Sequence, residues 1–291
     1  MRKTRSGAEP ASGCLNYVTA LRQELSERNV QYAQCHGLDH TLSLGELPAV
    51  CFTASSDLSL HGNFFPATYR AIRKNHDWFH RLSKHHAQAK RAIPRKESGS
   101  WKELDSGNSS DALLMNIFCN PAMLRDRRFR DFLGVDEDCR PEFGVKARVP
   151  LVHGGFDRTE VDMRLGTLLI EAKLTESDFQ RRPMLALMGY RDFTAVFDVE
   201  QLPRMGDICL SDQLIRNVLA AHALNAAFCV LLDSRRPDLI HAWYRIVRCV
   251  RIHDLRLRCK LLTWQEVSSF AKGKLRDFLE QKYGICPDNP S

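Results

Sequence analysis

The stretch TEVDMRLGTLLIEAKLTESDF, Thr159 to Phe179, sets two acids and a lysine among apolar residues. A fully buried strand reads as a near-continuous apolar run, so Asp162, Glu171 and Lys173 need a reason to be there. EVDMRL and TLLIEAKL read as strands, and Gly166-Thr167 between them suits a two-residue hairpin loop with glycine at the first central position. That loop predicts a register in which Leu165 faces Leu168, Met163 faces Ile170, Asp162 faces Glu171 and Glu160 faces Lys173. Side chains alternate between faces, so Val161, Met163, Leu165, Leu168, Ile170, Ala172 and Leu174 gather on one side and Asp162, Glu171 and Lys173 on the other. A loop of three or five residues would break this arrangement.

Directly opposed strand residues have Cβ atoms roughly 4.5–5.5 Å apart, and like charges so placed repel. Two facing carboxylates call for a cation. Mg²⁺ takes oxygen ligands at about 2.0–2.1 Å, commonly one or two carboxylates with water and substrate phosphate. An activated water and a cation steadying developing charge are what phosphodiester hydrolysis needs, and Lys173 puts an ammonium at the rim. The plainer reading is a surface strand with solvated charges. No GxxxxGK[ST] loop, GxGxxG or GxSxG occurs, so ATP-driven, dinucleotide and serine-hydrolase chemistry lack their usual support.

Around the hairpin, SSDALLMNIF has cap-like serines and helical spacing, and FGVKARVPLV reads as a strand. SDQLIRNVLAAHALN is an amphipathic helix that Ser211 can cap, AAFCVLLD a buried strand and CKLLTW another. QEVSSFAKGKLRDFLEQKYG closes the chain as a helix ended by Gly284. This succession predicts a mixed sheet covered by helices. Upstream, CLNYVTALRQELSERN has a helix face, and PATYRAIRKNHDWFHRLSKHHAQAKRAI reads as a long basic helix or helix pair starting near Pro66. PRKESGSWKELDSGNSS reads as a linker or mobile loop. The expected division is a flexible tail over 1–12, a helical basic region with linker over 13–100, and an α/β core over 101–291.

The chain has 291 residues, 44% hydrophobic and 26% charged, which is ordinary globular composition. No apolar run approaches the roughly 20 residues of a membrane span, and the start lacks a secretory h-region. A cytoplasmic protein without membrane contact is expected, with its 10 cysteines mostly buried free thiols. The pairs in CHGLDH (Cys35, His36, His40) and HDWFH (His76, His80) have metal-like spacing, but neither finds the second pair a zinc site needs. The net charge is +7, and nine Lys/Arg between Tyr69 and Lys96 face one acid, Asp77. Such a run is a solvated helix face or a track for a phosphate backbone. Arg70, Arg73, Lys74, Arg81 and Lys84 are its candidate nucleic-acid contacts, and RDRRFRDF holds a second knot.

EVDMRLGTLLIEAKLTE resembles the D…E-x-K core of the PD-(D/E)XK nuclease superfamily. With SSDALLMNIF ahead, SDQLIRNVLAAHAL behind, DWFHRLSKHHAQAKR and LLTWQEVSSF, it looks like a group of bacterial restriction-endonuclease-like proteins over roughly residues 66–284. The resemblance implies a three-layer αβα restriction-endonuclease-like core with a mixed β-sheet, preceded by a helical N-terminal region. It also implies an Mg²⁺-dependent DNA endonuclease of a restriction or defence type, with Mn²⁺ as a substitute ion. Carried over by position, Asp162, Glu171 and the Ala172 carbonyl bind the metal. Lys173 positions or deprotonates water or neutralises charge, and Gln213 orients water or touches the scissile strand. Asp111 and Glu142 compete for the third acidic place, and Asn116 either joins the site or pins its helix. The alternative is a catalytically silent nucleic-acid-binding or assembly protein keeping the fold. RNA is the other substrate considered, and cutting both strands would need a homodimer or a partner nuclease.

Overall fold

The computed structural model describes residues 16–43, 46–84 and 102–287. The expected tail over 1–12, and the basic run and linker from 85 to 101, lie outside the described residues. Five strands form the central sheet: β1 (Pro141–Lys146), β2 (Glu160–Leu165), β3 (Leu168–Ala172), β4 (Ala227–Leu232) and β5 (Cys259–Thr263). They lie side by side in chain order. β1 to β3 run antiparallel as a meander, and β4 and β5 add in parallel. The change in sense follows from the connections, since a two-residue loop joins β2 to β3 whereas a helix crosses between β4 and each of its neighbours.

The sheet buries both faces. On one side Leu169, Phe228, Val230 and Leu232 pack with α6 (Asp212–Ala223) and α7 (Pro237–Val247). On the other Met163, Leu165, Leu168, Ile170, Cys229 and Leu231 pack with α1 (Tyr17–His36), α4 (Ser110–Phe118), α5 (Arg127–Leu133) and α8 (Lys274–Tyr283). This is the three-layer αβα arrangement read from the sequence, with a mixed sheet and a helical N-terminal segment. α7 was not foreseen, although Pro237 at its first turn and Leu239, Trp243 and Ile246 on its inner face carry a helix pattern. A three-stranded sheet of Arg181–Pro183, Ile208–Leu210 and Arg204–Met205 was also missed.

The N-terminal basic stretch is a helix pair, α2 (Pro66–Lys74) and α3 (His76–Arg81), broken where the Asn75 side chain accepts from the amides of Asp77 and Trp78 at 3.1 Å. Two expectations change here. The linker-like 102–109 stretch is packed, with Leu104 and Asp105 buried and the Asn63 amide donating to the Leu104 carbonyl at 2.6 Å. The closing helix is two, Trp264–Ser268 and α8, because Gly273 breaks the run at φ 51°. Gly284 ends α8 in the left-handed conformation as expected. Among the described residues no helix is long and apolar enough to cross a membrane.

Candidate active site

The hairpin has the expected register over three pairs, Leu165 with Leu168, Arg164 with Leu169 and Met163 with Ile170. Gly166 turns it at φ 59°, which favours glycine, and a β-carbon there would meet the Cys139 sulfur at 2.5 Å and have to displace it. Beyond Met163 the strands part. In regular alternation the Ala172 amide would bond the Val161 carbonyl; it donates instead to Asp162 Oδ2 at 2.8 Å. The parting changes two details of the prediction. Val161 packs in the cluster with Ala147 and Val149 rather than with Met163 and Leu165. Glu160 no longer faces Lys173 but reaches Arg81, 3.3 Å away.

Asp162, Glu171 and Lys173 meet where the strands separate. Lys173 Nζ lies 2.6 Å from Glu171 Oε1, and both residues are buried, at 4% and 1% exposure. The lysine is held at its backbone too: its amide donates to the Leu231 carbonyl at 2.8 Å, and its carbonyl accepts the Trp264 indole N–H at 2.8 Å. The other Glu171 oxygen accepts from Asn217 Nδ2 at 2.7 Å. Asn217 was missed, yet it lies one helical turn beyond Gln213, which the resemblance had singled out, so i, i+4 spacing on α6 points to it as well. Gln213 sits at the start of α6, its amide bonded to the Phe179 carbonyl at 3.0 Å. Ser211 precedes it at φ 67° and makes no side-chain cap, contrary to expectation.

Asp111 lies close enough to this cluster for its charge to act on Asp162. Asp111 Oδ2 lies 2.9 Å from Arg81 Nη2 and 2.6 Å from Lys84 Nζ, and the residue is 2% exposed. Gly144 makes this possible: it is the register partner of Asp162 between the Phe143–Met163 and Val145–Val161 pairs, and a β-carbon there would collide with the Arg81 guanidinium. Arg81 and Lys84, read from sequence as free grips for nucleic acid, are therefore engaged by a buried acid. Arg70, Arg73 and Lys74 are exposed on α2. Glu142 is exposed on β1 opposite Arg164, away from Asp162 in the ladder. Asn116 pins its helix: it accepts from the Phe65 amide at 2.7 Å and donates to the carbonyls of Asn63 and Ala112 at 3.0 and 2.9 Å.

Charge shapes the ionisation of these groups. Burial, then the Glu171 charge, then that of Asp111, push the Asp162 carboxyl well above the carboxylate range. Burial would raise Asp111 likewise, but Lys84 and Arg81 reverse it and hold Asp111 low. Burial would discharge Lys173, but Glu171, Glu176 and Asp162 more than offset it and the ammonium keeps its proton. Asp111 and Glu171, both buried, and the half-buried Asp162 thus sit among Arg81, Lys84 and Lys173, with Glu160 and Glu103 against Arg81 and Lys84 at the edge. Asp162 Oδ1 accepts no hydrogen bond among the described residues. Among those residues no group of three or more His, Cys, Asp and Glu side chains is arranged to hold a metal ion, neither here nor at the Cys35/His36/His40 and His76/His80 pairs.

No curated protein and no solved structure matches the chain. A match over residues 31–284 spans α2 and α3, the hairpin and α8 together, and by it the chain belongs to the family described as Restriction Endonuclease associating with ARP.

Proposed function

We propose that the chain is a divalent-metal-dependent phosphodiesterase of the PD-(D/E)XK type, acting on DNA as an endonuclease. The observation that carries this reading is the meeting of Asp162, Glu171 and Lys173 where β2 and β3 part. The donor set fits a small hard dication: two carboxylates whose mutual repulsion raises the Asp162 pKa, with Asp162 Oδ1 uncommitted. The N–H and C=O of one strand residue project to the same side, so the Ala172 carbonyl is directed where its amide meets Asp162. Asp162, Glu171 and the Ala172 carbonyl would hold Mg²⁺ or Mn²⁺, which when bound acidifies a water and neutralises phosphate charge. Lys173 supplies positive charge beside the reacting phosphate; holding its proton, it orients and neutralises rather than accepts a proton. Gln213, at the start of α6, orients water or the scissile strand, and Asn217 fixes the Glu171 carboxylate. Asp111 is the better third acid by charge, with Arg81 and Lys84 keeping it ionised, so the region over 13–100 contributes to the site instead of standing apart from the 101–291 core. Arg70, Arg73 and Lys74 are left to meet phosphates. Association with ARP, as the family description words it, belongs to the same proposal. Cutting both strands would require a second copy or a partner nuclease.

A silent nucleic-acid-binding or assembly role is favoured by one observation, the Lys173–Glu171 ion pair that occupies a ligand oxygen. Incubation with supercoiled, linear and single-stranded DNA and with RNA, in Mg²⁺, Mn²⁺ or EDTA, separates the readings. Nicking or linearisation of plasmid that needs the ion and is lost in Asp162→Asn and Glu171→Gln, both folded by circular dichroism, supports the enzyme. Binding without any metal-dependent cleavage sinks it.

A further inference from the structure

The segment YRIVRCVRIHDLRLR, Tyr244 to Arg258, carries five arginines against one acid, Asp254. Arg245, Arg248, Arg251 and Arg256 are exposed, and none of the four forms an ion pair among the described residues. Arg81 and Lys84 of the N-terminal run are, by contrast, spent on Asp111.

The backbone beneath the four arginines is fixed. α7 buries Leu239, Trp243 and Ile246, the i, i+4, i+7 stripe, which leaves Arg245 and Arg248 on its outer side. The following turn is tied down by the Arg251 amide bonding the Val196 carbonyl at 2.8 Å and by pairing of Val250 with Phe197. The turn His253–Leu257 buries Leu255 and leaves Arg256 outside. Arg245 and Arg248 share the outer side of α7, and Arg251 and Arg256 follow it in the chain, a local density of cations, unpaired among the described residues, suited to phosphates. The patch reaches the start of α6 through Arg245. Arg245 lines a cleft of about 140 Å³ with Gln180, Arg181 and Ser211, and Ser211 precedes Asp212 and Gln213 at the start of the helix whose Asn217 holds Glu171.

We infer that Arg245, Arg248, Arg251 and Arg256 form a phosphate-tracking surface that receives the backbone of duplex DNA on the α7 side of the molecule. The assignment rests on the nuclease reading for its direction toward Gln213, but its test does not require cleavage. Binding of a fluorescent 30-base-pair duplex to the full chain is measured in EDTA from 50 to 300 mM salt, for the wild type and for the combined Arg248→Ala, Arg251→Ala, Arg256→Ala variant. None of these three lines the cleft, and each is exposed, so the fold is retained. The slope of log K against log salt falls by about 0.9 for each phosphate contact removed. A slope shallower by about 2–3, with affinity at 100 mM salt lower by tenfold or more, is the expected result whether or not DNA is cut. An unchanged slope, a wild type that does not bind the duplex, or tighter binding to an RNA hairpin of equal length would overturn the assignment.

Discussion

Replacing Lys173 by methionine tests whether the carboxylate pair is a built site. The ammonium lies 2.6 Å from Glu171 Oε1, and the two residues are 4% and 1% exposed. Methionine fills similar volume but leaves Glu171 with Asn217 as its donor and Asp162 as a like-charged neighbour. Breaking one side of such a buried pair costs about 3–5 kcal/mol, since the remaining charge keeps its desolvation penalty. At roughly 2–4 °C per kcal/mol for a chain of this size, the melting temperature falls by on the order of 10 °C. Glu171→Gln costs less, because Lys173 keeps the charges of Glu176 and Asp162 and the carboxylate repulsion is gone. The double variant is more stable than Lys173→Met alone by about 2 kcal/mol, as a coupled pair requires. Urea unfolding followed by tryptophan fluorescence suits the measurement, since Trp264 is fully buried and bonds the Lys173 carbonyl at 2.8 Å. Mg²⁺ stabilises Lys173→Met more than wild type, with about 2.7 kcal/mol available when the ion reaches a hundred times its Kd. A Lys173→Met protein within about 1 kcal/mol of wild type, or a double variant no better than the single, would refute the reasoning.

Two pH dependences follow from the same electrostatics. Asp162 holds its proton more tightly folded than unfolded, so the native state loses stability as pH rises from about 4, the unfolded carboxyl range, through the raised folded pKa. Asp162→Asn removes that slope while its amide oxygen still accepts the Ala172 N–H, so its advantage over wild type in urea at pH 5, 7 and 9 grows with pH; a constant difference counts against the raised carboxyl. Lys282, fully buried with its Nζ on Asn29 Oδ1 at 2.7 Å and 3.5 Å from the Phe52 ring centroid, has its pKa depressed well below the usual lysine value by burial. The unfolded chain binds that proton more readily, so wild type loses stability as pH falls from about 10, and Lys282→Met gains on it in thermal melts toward low pH.

The hairpin was legible because its signals are local. A glycine at the turn fixes the register, and period-two alternation sorts acids from aliphatics. What the alternation could not carry is the parting of the strands after Met163, since the competitor for the Ala172 amide is a side chain, Asp162, and not part of the ladder. Asn217 was open to a helical-wheel argument from Gln213 but hid in an apolar helix, where a lone asparagine reads as a neutral interruption. The Arg81–Asp111 contact is of another kind. Thirty positions separate the two residues, and neither charge announces its partner, so a basic run reads as solvated until the fold turns part of it inward. The small sheet over 181–210 has strands of two or three residues, too short for any periodicity to register.

The charge balance of the site bears on how it would work. Asp111, Asp162 and Glu171 sit among Arg81, Lys84 and Lys173, and Glu160, Glu103 and Glu176 act on the same three cations from the edge, so the ionised cluster is negative and a proton on Asp162 offsets part of the excess. A dication at such a site would take the place of that proton and relieve the repulsion between Asp162 and Glu171. Under the nuclease reading, ion binding would therefore displace a proton, and affinity for the ion would rise with pH. Arg81 and Lys84 bear on this balance from outside the sheet: they hold Asp111 ionised, and without them burial would raise its carboxyl as it raises that of Asp162. Part of the basic N-terminal run thus serves as counter-charge for a buried acid beside the hairpin.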